Sequence, residues 1–336
     1  MENDRFHPFH KQGSRFINPH CDNARRRLHD VFLWQMGYYN DKCPPKKVPK
    51  KFKYPNPKKK VRKESPMVTW INHCSFLIHV DGLHMLTDPI WSERCSPLSF
   101  LGPRRRHEPP IALKDLPTID VVLISHDHYD HLDRKTVRAL NERNPATLWV
   151  VPKGVGKWIA KQGVHHYVEL SWWENASLEV EGSPPLSIEI TAVPSQHFSG
   201  RGLFDKNKTL WAGYVVDFKR HRRKDKRLYF VGDTGYNSKD FKAIGNQFGE
   251  MDLSLIPIGT YVPAKFMDPV HISPQKATAI HKEVNSKLSI GMHWKTFRLS
   301  SEELHQPPYD LHRSLEKAGV DPATFRVIDP GQKINW

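Results

Sequence analysis

Residues 121–133 read VVLISHDHYDHLD and contain the most informative motif of this sequence. The first five residues form an apolar run typical of a buried strand, and a helical pattern begins soon after the motif ends. At an extended strand end His126 and His128 point the same way, so both imidazoles can reach one metal ion. Asp130 and His131 follow the bend and can reach a second ion. Four ligand-type residues within six positions predict a metal site rather than an ordinary surface turn.

Three further ligand-type residues, His197, Asp233 and His293, stand at or just after the ends of other strand-like runs. Since α/β sheets gather functional residues at one edge, we expect these side chains to converge on the first motif. The predicted ligands are His126, His128 and His197 for one ion, Asp130, His131 and His293 for the other, and Asp233 as the bridge. Two ions about 3.5–4 Å apart stabilise both the entering and the leaving oxygen of a displacement. Imidazole and carboxylate donors without thiolate favour two zinc ions per chain, and manganese or iron would also suit them.

The β-type runs are arranged differently in the two halves of the chain. Early runs follow one another closely, and Asp81-Gly82 is a hairpin signal between two of them. Later runs alternate with helical patterns, which is typical of sheets covered by helices. The predicted strands are 68–72, 75–80, 84–88, 121–125, 147–151, 187–193, 210–218, 227–233, 253–259, 288–293 and 325–329. The predicted helices are 135–143, 155–163, 274–284 and 310–319. The predicted fold class is an α/β sandwich.

Length and composition restrict the class of protein. The 336 residues, of which 38% are hydrophobic, can form one large domain or two small ones, and they are too apolar and aromatic for a disordered chain. No run approaches the roughly 18 apolar residues of a membrane span, and the N-terminus lacks the pattern of a signal peptide. Cysteines occur without any CxxC pair, at Cys21, Cys43, Cys74 and Cys95. A cytoplasmic location fits these features.

The net charge of +15 predicts an anionic partner. Eleven of the 22 residues from Lys42 to Lys63 are Lys or Arg and five are Pro, so this basic arm is expected to be extended and solvent-exposed. It is either a solvated linker or a contact for an anionic membrane surface. Residues 28–39 predict a short helix that docks on the main domain, and the basic run 219–227 predicts a solvated hairpin loop, with an anionic-lipid contact as the alternative. The predicted organisation is an N-terminal extension, 1–65, and a hydrolase domain, 66–336.

The histidine motif resembles that of the metallo-β-lactamase superfamily, and the surrounding segments resemble one family within it. Segments that are similar to the family of N-acylphosphatidylethanolamine-hydrolysing phospholipases D include RFINP (15–19), LTDPIWSERCSP (86–97), FLGPRRR (100–106), LSWWEN (170–175), PSQHFSGR (194–201), FVGDTGY (230–236), FGEMDLSLIPIGTYVPAKFM (248–267) and MHWKTF (292–297). The resemblance covers roughly residues 66–330 and RFINP. It implies an αββα sandwich, a di-zinc centre, and hydrolysis of N-acylphosphatidylethanolamine to N-acylethanolamine and phosphatidate. It also implies a homodimer attached peripherally to membranes.

Carried over residue by residue, the resemblance matches all seven predicted ligands. It also relates His271 to a family histidine near the substrate phosphate, so the predicted catalytic residues are Asp130, Asp233 and His271. Asp88 and Gln196 are expected to support the site rather than to react. Two departures are Phe198, where the mammalian enzyme has tryptophan, and the strongly basic character of residues 40–65.

A phospholipid also needs an apolar groove beside the metals. The expected walls are Leu98, Phe100, Leu101 and the loop Tyr261–Met267, and Arg104 to Arg106 are expected to meet a phosphate there. The runner-up hypothesis is a cytosolic metallo-hydrolase of the lactonase type that acts on a small phosphorylated substrate. A nuclease ranks third, because no stripe of interleaved aromatic and basic residues is present, and no nucleic-acid partner is expected. A non-catalytic binding module is the weakest hypothesis.

Overall fold

The computed structural model describes residues 11–21, 48–57, 61–62, 66–180, 185–220 and 223–336. The helix predicted at 28–39 and part of the basic arm lie outside these residues. The strands are β1 (Lys11–Gln12), β2 (Arg15–Phe16), β3 (Met67–Asn72), β4 (Ser75–Val80), β5 (Leu83–Thr87), β6 (Val121–Leu123), β7 (Leu148–Pro152), β8 (Tyr167–Leu170), β9 (Asn175–Val180), β10 (Leu186–Val193), β11 (Gly213–Arg220), β12 (Lys226–Phe230), β13 (Leu253–Pro257), β14 (Ser289–Met292), β15 (Phe325–Arg326) and β16 (Lys333–Asn335). The helices are α1 (Arg134–Arg143), α2 (Gly156–Ala160), α3 (Ser238–Phe248), α4 (Ala264–Met267), α5 (Pro274–Glu283) and α6 (Gln306–Ala318), with a 3-10 turn at Leu113–Asp115.

The strands form two seven-stranded mixed sheets and one small ribbon. The first sheet has the order β16-β3-β4-β5-β6-β7-β8, and the second has the order β15-β14-β13-β12-β11-β10-β9. In each sheet an antiparallel part is followed by a parallel part: β5 to β8 are parallel in the first sheet, and β12 to β15 are parallel in the second. The hairpin predicted at Asp81-Gly82 joins β4 to β5.

Burial follows the two-residue period of the strands and separates the layers. In β6, Val121 and Leu123 belong to the large core between the sheets, whereas Val122 packs with Val137 and Leu140 of α1 on the outer face. On the second sheet, helices α3, α5 and α6 contribute apolar side chains to the core. Two sheets face each other with helices outside, so the predicted metallo-β-lactamase fold is confirmed.

A charged contact joins the two sheets at the turn between β4 and β5. Arg220, at the end of β11, donates from Nε and Nη2 to the two carboxylate oxygens of Asp81, at 2.6 and 2.9 Å, and Arg223 donates to the same carboxylate. These arginines lower the pKa of Asp81. β11 and β12 form the predicted hairpin, and residues 219–220 and 223–227 of the basic run lie at the end where the two strands are joined. Part of the positive charge of this run is paired within the protein.

Part of the predicted N-terminal extension packs on the domain. The described part of the basic arm, residues 48–57 and 61–62, is called the basic strap below. It has no regular structure, but Tyr54 and Asn56 donate hydrogen bonds to the carbonyls of Phe325 and Val327, along the edge strand β15. The expectation of a fully solvent-exposed arm is therefore wrong for the strap, although its lysines are exposed. No helix of the described residues is long and apolar enough to cross a membrane.

Candidate metal centre

Three histidine side chains from two loops meet beyond the ends of β6 and β10: His126 and His128 follow β6, and His197 follows β10. His126 Nε2 lies 2.8 Å from Nδ1 of His128, and His197 Nε2 lies 3.2 Å from the same atom. The other ring nitrogens are held elsewhere: Nδ1 of His126 contacts Ser125 Oγ at 2.9 Å, and Nδ1 of His197 contacts the carbonyl of Val270 at 2.7 Å. These contacts fix the tautomers and direct both Nε2 atoms toward one point, as in metal-binding histidines.

Four further side chains form an adjoining group: Asp130, His131, Asp233 and His293. Nε2 of His131 lies 3.2 Å from Oδ2 of both Asp130 and Asp233, and Nε2 of His293 lies 3.0 Å from Oδ2 of Asp233. Among the described residues, Nε2 of His131 and Nε2 of His293 contact these carboxylates without forming a well-aligned hydrogen bond, and Oδ1 of Asp233 has no hydrogen-bond partner, although all three atoms are buried. Buried polar atoms normally have a partner, so these unpaired atoms fit a bound cation.

Asp233 stands between the two groups. Its Oδ2 lies 3.9 Å from Nε2 of His197 as well as 3.2 Å from that of His131. Gly232, the residue before Asp233, has a φ of +67° and packs against Ser125. A larger residue would not fit there, because its Cβ would lie 2.8 Å from Cβ of Ser125. The buried groups joined by Asp233 are typical of a binuclear metal site.

The protonation states depend on whether a cation is present. Burial lowers the pKa of His126 and His197 well below the usual value. Burial also acts to lower the pKa of His293, but Asp233 and Asp130 outweigh it and raise that pKa to about 9. The same two carboxylates also outweigh burial at His131 and raise its pKa well above the usual value, so without metal they favour protonated imidazoles beside them. Metal ions would displace such protons, since a ligating imidazole must be neutral.

Asp88, the residue after β5, supports the centre, as predicted for its position. It accepts hydrogen bonds from the backbone N–H and the hydroxyl of Ser125, at 2.7 and 2.5 Å, and from Nδ1 of His131 at 2.7 Å. This leaves Nε2 of His131 to face the centre. Gln196 has a structural role: its amide nitrogen donates to the carbonyl of Pro269, and its backbone N–H donates to Thr234.

Sequence reasoning missed two residues that hold the centre. His73, in the β3–β4 turn, contacts Oδ2 of Asp130 through Nε2 at 2.9 Å. Asn18, in the RFINP segment, donates to the carbonyl of His197 and accepts from its backbone N–H, at 2.7 and 3.1 Å. The RFINP segment, which lies within the predicted N-terminal extension, therefore shapes the site. No short sequence spacing indicates either contact, although RFINP is among the segments that resemble the phospholipase D family.

His271 lies at the rim of the centre, just before α5. Its ring centroid is 5.1 Å from that of His197 and 5.4 Å from that of His293, and Nδ1 lies 3.8 Å from Oδ2 of Asp233. The side chain is 13% exposed, whereas the imidazoles of His197 and His293 are fully buried. A molecule approaching the metal donors can therefore touch this histidine.

The expected apolar walls differ from one another in exposure. Phe100 and Leu101 are 76% and 61% exposed, and Leu98 is also exposed. By contrast, the aromatic and methionine side chains of Tyr261–Met267 are buried, and the Tyr261 hydroxyl donates to Asp310. These side chains of the loop therefore present little apolar surface to solvent, and their role as walls of a groove stays a prediction.

The three arginines expected to meet a phosphate have different environments. Arg104 pairs with Glu93 at the surface. Arg105 is buried and donates to the carbonyls of Ile90 and Ser92, so it braces the loop rather than facing a ligand. Arg106 is exposed. Only the first and the last of the three are accessible to a ligand.

A cavity of about 680 Å³ adjoins the metal motif at Tyr129. Arg201 is held over the rings of Tyr129 and Trp158, at 4.0 and 4.5 Å from their centroids, and donates to the carbonyls of Asp127 and Leu132. In the part of the chain that the structure describes, five cationic side chains line the cavity, against the carboxylates of Glu93 and Asp133: Arg94, Arg134, Lys135, Lys161 and Arg201. The cavity suits an anionic molecule.

Comparisons with known proteins agree with this architecture. The sequence matches the beta-lactamase superfamily domain over residues 84–294. It is 39% identical over 271 residues to N-acyl-phosphatidylethanolamine-hydrolyzing phospholipase D 1 of Caenorhabditis elegans, covering 79% of this chain and 74% of that protein. It is 40% identical to an uncharacterized protein of Mycobacterium tuberculosis, covering 80% and 68% respectively. The solved structure of isothiocyanate hydrolase from Delia radicum gut bacteria superposes with a TM-score of 0.59 at 19% identity, covering 80% of this chain and 99% of that one, and shows the fold alone.

Proposed function

Because the chain belongs to the beta-lactamase superfamily and, within it, to the family of N-acyl-phosphatidylethanolamine-hydrolysing phospholipases D, we propose that this metal-dependent hydrolase is a phosphodiesterase of the phospholipase D type. The proposed substrate is N-acylphosphatidylethanolamine, and the products are N-acylethanolamine and phosphatidate. The observation that carries the proposal is the pair of buried donor groups joined by Asp233.

The donor set fits two zinc ions, and manganese or iron would also suit it. The proposed ligands are His126, His128 and His197 on one side, Asp130, His131 and His293 on the other, and Asp233 between them. When bound, the metal ions would activate water and balance the charge that develops on the phosphate.

The chain's own residues would position the substrate and move the proton. Water adds to phosphorus, the bond from phosphorus to the ethanolamine oxygen breaks, and that oxygen takes up a proton. His271 is the proposed group at this step, because its partly exposed imidazole lies beside Asp233, at the rim of the donor cluster. Asp130 and Asp233 would keep the donor groups at a fixed separation.

A peripheral position on a membrane is the second part of the proposal. Two loops beside the 680 Å³ cavity expose large apolar side chains: Phe100 and Leu101 on one, and Leu203 and Phe204, 85% and 81% exposed, on the other. Exposed apolar side chains on neighbouring loops are typical of a contact with a partner or a lipid surface. The loops would enter the lipid interface and bring the cavity to its phospholipid substrate. A homodimer stays a prediction from family resemblance.

A small phosphorylated substrate is the alternative. The five cations of the cavity favour an anionic molecule, and they do not require that it carries acyl chains. A lactonase-type hydrolase acting on such a molecule would use the same donor cluster.

The two hypotheses are separated by identifying the reaction products. Purified protein is incubated with N-acylphosphatidylethanolamine, with phosphatidylcholine and with a sugar-phosphate lactone, and the products are analysed by mass spectrometry. Release of N-acylethanolamine and phosphatidate supports the proposal. Metal-dependent opening of the lactone without release from any phospholipid would replace it with the alternative.

A further inference from the structure

A second large cavity, of about 740 Å³, lies at the sheet edge opposite the metal centre. The two ends of strand β3 show this orientation. His73 follows the C-terminal end and lies at the metal centre. Met67, at the start of the strand, pairs with Asn335 of β16, which lines the cavity. Lys226 likewise begins β12, whose far end leads to Asp233. The cavity lies between the edge strands β15 and β16, and residues 56–57 and 61–62 of the basic strap line it.

Positive charge dominates this cavity. Among the described residues, five cationic side chains line it, against two side-chain carboxylates: Arg62, Lys226, Lys287, Arg326 and Lys333, with Asp252 and Asp321. Lys226 and Lys287 both pair with Asp252, at 3.3 and 3.4 Å. The other three cations have no carboxylate partner among the described residues. The lining is therefore short of negative charge.

Arg326 is the most informative of these residues because it is only 7% exposed. Consecutive strand residues point to opposite faces. Since the ring of Phe325 packs against His281 of α5, Arg326 points away from that helix, into the cavity. Its Nε donates to the carbonyl of Ala323. Burial lowers the pKa of the guanidinium, and no carboxylate offsets this effect. Holding a buried cation without a counter-charge is unfavourable.

The rest of the lining restricts the ligand. Trp336, Leu288 and Ile334 supply apolar surface, and Nζ of Lys226 lies 5.8 Å from the centroid of the Trp336 ring. The volume is in the range of small-molecule sites, about 300–1,000 Å³. A guanidinium fork binds two phosphate oxygens at once, and ammonium groups add point charges around it. A compact ligand with several phosphate groups suits both the charge and the size.

We propose that this cavity is a second binding site, separate from the metal centre, for a ligand that carries several phosphate groups. The ligand is either a soluble polyphosphorylated molecule or the headgroup of a phosphorylated inositol lipid, because both present the same chemistry to the cavity. The site is independent of the proposed hydrolysis.

The test measures binding of two probes to the metal-loaded, full-length protein at low salt. Inositol hexakisphosphate is titrated by calorimetry, and vesicles containing phosphatidylinositol 4,5-bisphosphate are tested by co-sedimentation. The double variant Arg326→Gln/Lys333→Gln is compared with Lys242→Gln/Arg313→Gln, which removes the same charge from exposed positions elsewhere. If the buried substitution impairs folding, Arg62→Gln/Lys333→Gln replaces it, because both side chains are exposed.

We expect at least tenfold weaker binding of one probe by the cavity variant and little change in the control variant. Loss of inositol hexakisphosphate binding would assign a soluble ligand, and loss confined to vesicles would assign the lipid headgroup. Equal binding by the cavity and control variants would overturn the proposal, because the probes would then respond to net charge or to the metal centre. Absence of binding by the unmodified protein would overturn it as well.

Discussion

Nε2 of His73 lies 2.9 Å from Oδ2 of Asp130, and both side chains belong to turns that border the metal centre. Burial, followed by the neighbouring His293, lowers the pKa of His73 to about 3, so its imidazole is neutral. Nδ1 of His73 is buried and has no hydrogen-bond partner among the described residues, and therefore Nε2 is the nitrogen that carries the proton and donates to Asp130. The histidine thus holds one carboxylate oxygen and fixes the direction of the other.

Replacing His73 should weaken the metal site without removing a ligand. We expect His73→Leu to lower affinity for the ion beside Asp130 about 10- to 100-fold, as for other outer hydrogen-bond partners of ligands. His73→Gln should restore part of it, since an amide N–H can replace the donor. Metal content after graded chelation measures this, with His79→Leu, on β4, as the control. If His73→Leu keeps both ions as well as the control does, the contact has no positioning role.

The Asp233 carboxylate should be needed by both ions. Asp233→Asn replaces a charged bridging oxygen with a neutral amide, so we expect both ions to bind more weakly and turnover to fall by orders of magnitude. The far-ultraviolet circular dichroism spectrum should stay unchanged, which separates lost chemistry from lost folding. Turnover near that of the unmodified protein would show that Asp233 is not shared.

The sequence predicts the central strands well because each is an apolar run bounded by turn residues. The runs VVLIS and LSIGM contain β6 and β14, and the histidines that follow these runs lie in the metal centre. Edge elements are harder to predict. β9 (Asn175–Val180) was missed because it alternates exposed and half-buried residues and includes Asn, Ser and Glu, which carry little apolar signal. Helix α3 had a usable signal, since Asn237 caps it and Phe241 and Ile244 are buried on one face.

The hydrogen bonds that support the site join residues far apart in the sequence, and therefore no local motif indicates them. His73 is 57 positions from Asp130, and Asn18 is 179 positions from His197. Neither pair has the short spacing that marks HxHxDH. The ligands were predictable because strand ends collect at one edge of a sheet, whereas the supporting hydrogen bonds depend on how turns from different segments meet.

Stability should depend on pH through His281, which is outside the predicted ligand set. Its Nδ1 contacts Ser289 Oγ at 2.8 Å, and burial lowers its pKa to about 4 from the usual 6.5. A depressed histidine pKa means that its contribution is complete above pH of about 6.5 and is lost as pH falls toward 4. The loss is at most about 3 kcal/mol. Urea unfolding at pH 7.5 and 5 should show a smaller pH dependence for His281→Asn than for the unmodified protein; an equal dependence would exclude this group as the cause.

His271 should affect turnover but not metal content. Its imidazole is outside the predicted ligand set, so His271→Ala should retain the metal ions and lose about 10²- to 10⁴-fold in turnover, as expected for removal of a proton donor. Product formation and metal content are measured on the same preparation, with His166→Ala, an exposed histidine, as the control. Loss of metal together with activity would make His271 a ligand rather than a group that meets substrate.

Membrane binding should separate into an apolar part and a charged part. Phe100 and Phe204 are mostly exposed, and transferring a phenylalanine side chain from water contributes about 1.5–3 kcal/mol when burial is complete. Phe100→Ser/Phe204→Ser should therefore reduce co-sedimentation with anionic vesicles at least tenfold at low and high salt alike.

The charged part is tested on the basic strap without disturbing its docking. Lys50, Lys51 and Lys53 are exposed, whereas Phe52 packs edge-on against Tyr309, so replacing the lysines with Gln should leave the strap in place. Their attraction to anionic lipid is screened by salt, within a Debye length of about 8 Å at physiological ionic strength. The lysine variant should lose binding at low salt and match the unmodified protein at high salt. The proposed membrane face would be wrong if the phenylalanine variant lost binding only at low salt while the lysine variant bound normally. The loops would then not enter the lipid.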